Sequence, residues 1–139
     1  MAMMPKRVKY RKFHKGRIHG KATRGNTVAY GEFGLQTLEA GRITAQQIEA
    51  GRMAATHYLR REGRVFIRIF PHTSYTGKPL EVRMGKGKGE VVGWIAKVKP
   101  GTVLFEIGGV PEETAKAAFS RVAQKMPVMV RFVTRQHTV

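Results

Sequence analysis

The sequence predicts an α+β domain in which two helices pack on one face of a mostly antiparallel sheet. Two segments show helical periodicity with end signals at their boundaries, and short segments of strand-like alternation flank each of them. The strands alternate apolar with polar or charged residues, so one face of the sheet is expected to be buried. This domain is expected over residues 26–139, after a basic, extended arm over residues 1–25.

The first strand is expected within Asn26–Ala40. Its β-branched and aromatic residues are interrupted by Gly31 and Gly34. Glycine inside a strand is typical of a bulge or a bend. The pattern therefore predicts a bulged or bent strand at an edge of the sheet.

The first helix has the clearest end signals. Thr44 followed by Gln47 predicts a capping box at its start, and Gly63 is expected to close its end, after Arg60 and Arg61 in the last turn. Gly51 inside the helix costs about 1 kcal/mol relative to alanine, which indicates close packing at that point. The inward stripe is expected at Ile48, Ala55, Tyr58 and Leu59.

A strand at Arg64–Phe70 and a long polar loop from Pro71 to Glu90 follow. Few compact domains carry a structureless connection of this length without using it for binding. Its centre, residues 82–89, reads VRMGKGKG. Alternating glycines let the backbone approach another molecule closely and place cations where it passes, so this composition suits a phosphate surface. A flexible, solvated hairpin tip without a partner is the alternative.

Two further strands, Val91–Lys99 and Thr102–Ile107, are expected to form a hairpin across a type II turn at Pro100-Gly101. In that register six apolar residues share one face, which is predicted to be core. The expected pairs are Val98 with Val103, Ala96 with Phe105, and Trp94 with Ile107.

The second helix is expected to begin with Pro111 as its first helical residue and to extend to about Lys125. Its inward residues are expected to be Ala115, Ala118, Phe119, Val122 and Met126. The last strand is expected at Val128–Arg135. On this reading the sheet face that the helices leave uncovered carries four arginines, which either contact a partner or form an ordinary solvated surface: Arg64, Arg68, Arg131 and Arg135.

The charge of the chain is unusual. It has 26 Lys and Arg against 9 acidic residues, a net charge of +17, and all nine acids are glutamates at or after Glu32. A chain with so much positive charge repels itself when folded, so it is expected to bind a polyanion. Nucleic acid is the leading candidate. An acidic membrane surface is disfavoured because no long apolar run occurs and the basic segment lacks an apolar stripe.

The N-terminal arm concentrates this charge. Nine Lys and Arg lie between residues 5 and 24, interleaved with Tyr10, Phe13, His14 and His19. This pattern predicts an extended segment that becomes ordered on a phosphate backbone, with aromatic side chains available to stack on bases or sugars. A disordered, solubilising tail is the alternative.

Enzyme motifs are not satisfied. The glycines of the Gly/Lys loop fail the dinucleotide-binding pattern, and Gly20–Gly25 has P-loop glycine spacing but is followed by Asn26 and Thr27 instead of Lys and Ser/Thr. Neither serine lies in a nucleophile elbow, the histidines lack metal-ligand spacing, and there is no Cys or Asp. We therefore expect no enzyme activity, no metal, no cofactor and no small-molecule substrate.

Six segments together resemble the L sixteen family of bacterial large-subunit ribosomal proteins, collinearly from Met4 to about Arg135. They are MPKRVKYRK at residues 4–12, GEFGL at 31–35, TAQQIEA at 44–50, FIRIFP at 66–71, KPLEVRMGKGKG at 78–89 and VKPG at 98–101. RMGKGKG and IRIFP are the most specific of these.

The resemblance implies a structural constituent of the large ribosomal subunit, without catalysis. Such a protein binds large-subunit rRNA near the aminoacyl-tRNA site, joins late in assembly, and helps to shape the peptidyl transferase region and to position tRNA. It implies other large-subunit ribosomal proteins as neighbours, no membrane partner, and a cytoplasmic ribosome, with an organellar ribosome as the alternative. The implied rRNA- and tRNA-binding residues are Lys6, Arg7, Lys9, Arg11, Lys12, Lys15 and Arg17 in the arm, and Arg83, Met84, Gly85, Lys86, Gly87 and Lys88 in the loop.

Two other classes remain as alternatives. A DNA-architectural protein would bind duplex DNA as well as rRNA and would use wedge residues or dimerisation, for which the sequence gives no clear signal. A nucleotide-processing enzyme would turn over a nucleotide substrate.

Overall fold

Two helices and two antiparallel sheets make up the part of the chain that the structure, a computed structural model, describes: residues 3–135. The α+β prediction is confirmed. In chain order the elements are β1 (Phe33–Thr37), β2 (Gly41–Thr44), α1 (Ala45–Leu59), β3 (Arg64–Ile67), β4 (Thr73–Gly77), β5 (Glu90–Val98), β6 (Val103–Gly108), α2 (Glu112–Ala123) and β7 (Val130–Thr134).

The strands divide into a four-stranded sheet, in the order β3-β6-β1-β7, and a three-stranded sheet, in the order β2-β5-β4. In the larger sheet Leu35 of β1 is opposite Phe105 of β6, which is opposite Ile67 of β3. This row faces the core beneath the helices. The neighbouring row, Gly34, Glu106 and Phe66, therefore points to the other face of the sheet.

Helix α1 begins as predicted. The Gln47 backbone N–H donates to the Thr44 hydroxyl at 3.2 Å, and the Thr44 N–H donates to the Gln47 side-chain oxygen at 2.9 Å. Both halves of the capping box are present. Ile48, Ala55 and Leu59 are buried in the core, whereas Tyr58 is half-buried.

The end of α1 differs from the prediction. The helix ends at Leu59, and both Arg60 (φ 50°) and Arg61 (φ 67°) lie outside it in the left-handed region. Gly63 is part of the following turn, where a Cβ would lie 2.4 Å from the Gly108 carbonyl oxygen. The chain must reverse quickly here because β3 begins at residue 64, beside β6.

Helix α2 packs against α1, and its predicted inward residues are buried: Ala115, Ala118, Phe119, Val122 and Met126. Pro111 is the N-cap residue instead of the first helical residue, and Glu112 and Glu113 occupy the first turn. Carboxylates at this end favour the helix because its first N–H groups carry partial positive charge.

The predicted hairpin is wrong in its pairing. The turn itself forms: the Thr102 N–H donates to the Lys99 carbonyl at 3.1 Å, and Gly101 has φ 98°, as a type II turn requires. However, β5 pairs with β2 and β4, while β6 pairs with β1 and β3. The six apolar residues are buried as predicted, but they belong to two different sheets.

Two other strand predictions need correction. β1 is an interior strand, between β6 and β7, although its predicted bulge is present between Leu35 and Gln36. β4 lies within the segment expected to be a structureless loop and pairs with β5. The parts of that segment outside the strands are therefore residues 71–72 and residues 78–89.

Candidate nucleic-acid interface

The seven arm cations singled out in the sequence all have exposed side chains. They are Lys6, Arg7, Lys9, Arg11, Lys12, Lys15 and Arg17. Lys9 places its ammonium 5.6 Å from the ring centroid of Tyr10, which is itself 69% exposed. This end of the arm therefore presents cations together with an accessible aromatic ring.

The arm is held on the three-stranded sheet through its backbone carbonyls. The Lys97 ammonium donates to the Lys15 carbonyl at 2.6 Å, and the Arg42 guanidinium donates to the Gly16 carbonyl at 2.9 Å. The Ser74 hydroxyl donates to the Arg11 carbonyl. Because side chains of the domain bind the backbone of the arm, the cationic side chains of the arm stay exposed.

Of the arm's aromatic residues, Phe13 contacts the domain. Its ring meets Trp94 edge-on, with the ring centroids 6.4 Å apart. Such a pair stabilises by about 0.5 to 1.5 kcal/mol beyond the area it buries. Phe13 thus anchors the arm, and Tyr10 is the better candidate for stacking on a base.

The arm and the Gly/Lys loop meet at one point. The Lys12 ammonium donates to the Lys88 carbonyl at 3.2 Å, and the Lys88 ammonium donates to the Phe13 carbonyl. Two segments that are about seventy-five residues apart in the sequence therefore present their cations side by side.

The loop between β4 and β5 is exposed from Lys78 to Lys88. Three consecutive residues of the loop have positive φ angles: Gly85 at 110°, Lys86 at 60° and Gly87 at 96°. Glycine adopts such angles without steric cost, so the two glycines allow this backbone conformation. At the base of the loop, Gly77 pairs with Glu90, and a Cβ on Gly89 would lie 2.6 Å from the Gly77 carbonyl oxygen. The base is therefore tightly closed, while residues 78–88 stay exposed to solvent.

Glu106 fixes residues 29–31, which lie between the arm and β1, and sequence reasoning missed this role. Its side chain is 0% exposed, and one carboxylate oxygen accepts the backbone N–H groups of Ala29, Tyr30 and Gly31 at 2.8, 2.8 and 3.0 Å. The other carboxylate oxygen accepts from the Arg68 guanidinium. A glutamate inside an apolar strand was the only signal that could have pointed to it.

Arg68 extends this anchor. Its guanidinium also donates to the Thr27 carbonyl at 3.0 Å and lies 5.1 Å from the ring centroid of Tyr30, which stacks on Phe66. Of the four arginines predicted on the uncovered sheet face, Arg68 is thus used structurally. Arg64, Arg131 and Arg135 are exposed there.

The electrostatics of Glu106 follow from these contacts. Burial alone would raise the pKa of this carboxyl, but the N–H groups of Gly31 and Tyr30 and the Arg68 guanidinium outweigh burial and lower the pKa below its ordinary value. Glu106 is therefore ionised at neutral pH and fixes residues 29–31 against the sheet.

Residues 3–135 contain neither a membrane-spanning helix nor a cluster of metal-ligating side chains. No helix in that range is long and apolar enough to cross a bilayer. The same range holds no group of three or more His, Cys, Asp or Glu side chains placed to share a metal ion. His137, one of the histidines compared with metal-ligand spacings in the sequence, lies outside the described residues.

A small α+β domain with an exposed basic arm and loop is typical of proteins that bind nucleic acid. The profile of the family described as ribosomal protein L16p/L10e matches residues 5–133, and the chain belongs to this family. It is therefore a structural ribosomal protein and not an enzyme, as the sequence resemblance implied.

Curated relatives named large ribosomal subunit protein uL16 match the chain over nearly its whole length. The protein from Rhodopirellula baltica is 61% identical over 136 residues, which is 98% of this chain and 99% of the relative. The protein from Exiguobacterium sibiricum is 57% identical over 96% of this chain and 92% of its own length. The protein from Akkermansia muciniphila is 56% identical, with 98% and 97% covered.

Proposed function

We propose that the chain is a structural constituent of the large subunit of a cytoplasmic ribosome. In this role it binds large-subunit rRNA near the aminoacyl-tRNA site and the peptidyl transferase region, supports late subunit assembly and helps to position tRNA. Its partners are rRNA, tRNA and other large-subunit proteins. The observation that carries the proposal is the convergence of two exposed cationic segments, the arm and the loop, at Lys12 and Lys88.

The chemistry of folded RNA supports this assignment. RNA helices are recognised mainly through phosphates, 2′-hydroxyls and shape, so a binding protein needs cations on extensions that enter narrow spaces. The arm and the loop supply these extensions, while the helices and sheets supply a rigid base. The proposed contact residues are Lys6, Arg7, Lys9, Arg11, Lys12, Lys15 and Arg17, with Arg83, Met84, Gly85, Lys86, Gly87 and Lys88.

Sedimentation of a cell extract through sucrose gradients at rising salt concentration tests the proposal. We expect the chain to migrate with the large subunit at low salt and to be released only at high salt. Migration as a free small protein would reject the ribosomal role, and migration with bulk DNA would favour the DNA-architectural alternative.

The contribution of the loop tip is tested by replacing Arg83 and Lys86 with alanine. Both side chains are exposed, so the melting temperature is expected to change by no more than about 2 °C, as for surface substitutions in general. Binding to a large-subunit rRNA fragment, measured by filter retention, is expected to weaken about 30-fold, because two phosphate contacts worth about 1 kcal/mol each are lost.

A matched variant controls for net charge. Arg61→Ala with Lys125→Ala removes the same two charge types from exposed positions outside the arm, the loop and the arginine-bearing sheet face. Equal loss of binding in both double variants would show that overall charge, and not the loop, determines affinity.

A further inference from the structure

A cleft of about 450 Å³ lies between the arm, the three-stranded sheet and the returning end of the loop. Each of these parts contributes cations to its lining: Lys15 from the arm, Arg42 from β2, Lys97 from β5 and Lys88 from the loop. Among the described residues that line it, none is acidic. The cleft thus gathers four positive charges without a compensating carboxylate.

These cations are only partly satisfied by the protein. Lys88, Lys97 and Arg42 each donate to one carbonyl of the arm, but an ammonium has three donors and a guanidinium has five. The Nε of Arg42 is buried, and within residues 3–135 no acceptor is placed to receive its hydrogen bond. A buried donor on a charged group is expected to have a partner.

The remaining lining favours a compact, oxygen-rich anion. Thr73 is nearly buried, and its hydroxyl-bearing side chain lines the cleft with that of Thr76. Phe13 and Ile95 contribute apolar surface, which lowers the local dielectric and strengthens charge interactions. Guanidinium, ammonium and hydroxyl donors converging from several directions match the oxygens of a phosphate group.

We propose that this cleft binds one phosphodiester of an RNA backbone, with Arg42 and Lys97 as the principal ligands and Lys15 and Lys88 completing the site. This inference deepens the proposed function and rests on it. Arg42 and Lys97 belong to the sheet and lie outside the segments that sequence reasoning singled out. A phosphate held between Lys15 and Lys97 links the arm to the domain, so the same contact that binds RNA also fixes the direction of the arm.

Thermal unfolding of the full chain provides the test, with inorganic phosphate and dimethyl phosphate each compared with chloride at equal ionic strength. Bound anion stabilises the folded state by mass action, and we expect about a 3 °C rise in melting temperature with either phosphate at ten or more times its dissociation constant. A rise with inorganic phosphate alone would show a site for the free ion and overturn the assignment to an RNA backbone.

The decisive variant is Arg42→Gln with Lys97→Gln, and its matched control is Arg64→Gln with Lys125→Gln, which lie outside the cleft. The cleft variant is expected to lose at least two thirds of the phosphate-dependent rise, and the control to keep it. Without phosphate, the cleft variant is expected to melt below the control variant, because it loses the hydrogen bonds that Arg42 and Lys97 donate to the arm, so the phosphate effect of each chain is measured against its own melting temperature in chloride. Equal phosphate effects in all three chains would identify a general salt effect and overturn the site.

Binding to the rRNA fragment separates this inference from the proposed function. We expect the cleft variant still to bind, with a log-log salt slope that is smaller by about 1 than that of the unmodified chain, since one phosphate site is lost. An unchanged slope would overturn the cleft site while leaving the ribosomal role intact. Absence of rRNA binding by the unmodified chain would reject the proposed function itself.

Discussion

At the level of single residues, Glu106 fixes the segment that connects the arm to β1. A buried carboxylate is tolerated only when its lone pairs are filled, and here three backbone N–H groups and one guanidinium fill them. The same contacts remove the conformational freedom of residues 29–31. The path of residues 29–31 over the sheet therefore depends on one side chain from β6.

Replacing Glu106 with glutamine is expected to lower the free energy of unfolding by about 2 to 3 kcal/mol. The amide oxygen can still accept the N–H groups of residues 29–31, but the NH₂ group then faces the Arg68 guanidinium and cannot accept from it. Urea denaturation at pH 7 measures the loss. Glu81→Gln, in the exposed loop, is the control and is expected to change stability by less than about 0.5 kcal/mol.

The contribution of Glu106 is also expected to depend on pH. Its pKa is lowered in the folded state, so its stabilising effect is fully present above the unfolded-state pKa, about 4.3, and is lost as the pH falls through the folded value. The stability difference between the unmodified chain and Glu106→Gln should therefore be constant from pH 7 to about 5 and shrink below about pH 4. A constant difference down to pH 3 would contradict this explanation.

Gly51 provides a second prediction for a single residue. Alanine inside a helix is ordinarily better than glycine by about 1 kcal/mol. At Gly51, however, a Cβ would lie 2.9 Å from Cζ of the buried Phe105 ring and 3.0 Å from the Met126 methyl group. The Met126 side chain can move, but the Phe105 ring is enclosed, so the added methyl group is expected to cost about 2 kcal/mol in overpacking. This cost exceeds the gain of about 1 kcal/mol in helix propensity, so Gly51→Ala is expected to lower the free energy of unfolding by about 1 kcal/mol.

Urea denaturation of Gly51→Ala is compared with Gln46→Ala, an exposed position in the first turn of the same helix. If Gly51→Ala were more stable than the unmodified chain, the close approach of α1 to Phe105 would not constrain the helix.

At the scale of elements, local signals predicted where helices begin better than which strands pair. The capping box of Thr44 and Gln47 depends on residues three apart, so the sequence alone contains it. The Pro100-Gly101 turn is equally local and also forms. Its flanking strands nevertheless separate, because partners from distant parts of the chain, β2 for β5 and β1 for β6, complete their hydrogen bonding.

Thr44→Ala tests the capping box. We expect a loss of about 1 kcal/mol in the free energy of unfolding, since Ala cannot accept the Gln47 N–H. Thr56→Ala, in the interior of α1, is the control and should leave stability unchanged or slightly raised by helix propensity. Equal losses in the two variants would argue against a capping role.

The segments proposed to bind RNA were easier to predict than the anchors that orient them. A basic arm and a Gly/Lys loop are visible as composition. Glu106 is not, because its position in β6 alternates with Phe105 and Ile107 and so reads as an outward, solvated residue. Only the tertiary fold, which brings residues 29–31 over that face, makes it buried.

At the scale of the whole molecule, the distribution of charge predicts how binding responds to salt. Nine Lys and Arg lie between residues 5 and 24. If all of them neutralise phosphates, the log-log slope of rRNA affinity against salt is expected to be about −6 to −8. Filter binding from 50 to 300 mM salt measures it, and a flat response would show that the arm does not meet the RNA backbone.

The closed base of the Gly/Lys loop sets a limit on reach. Gly77 and Glu90 are paired at the end of the sheet, so the twelve residues from Lys78 to Gly89 must leave and return at nearly the same point. Half of that length, fully extended, spans about 20 Å. That is roughly the width of an RNA double helix. A loop fixed at both ends in this way can reach across one RNA double helix but cannot span two. Its tip can therefore contact only RNA that lies directly beside this edge of the sheet.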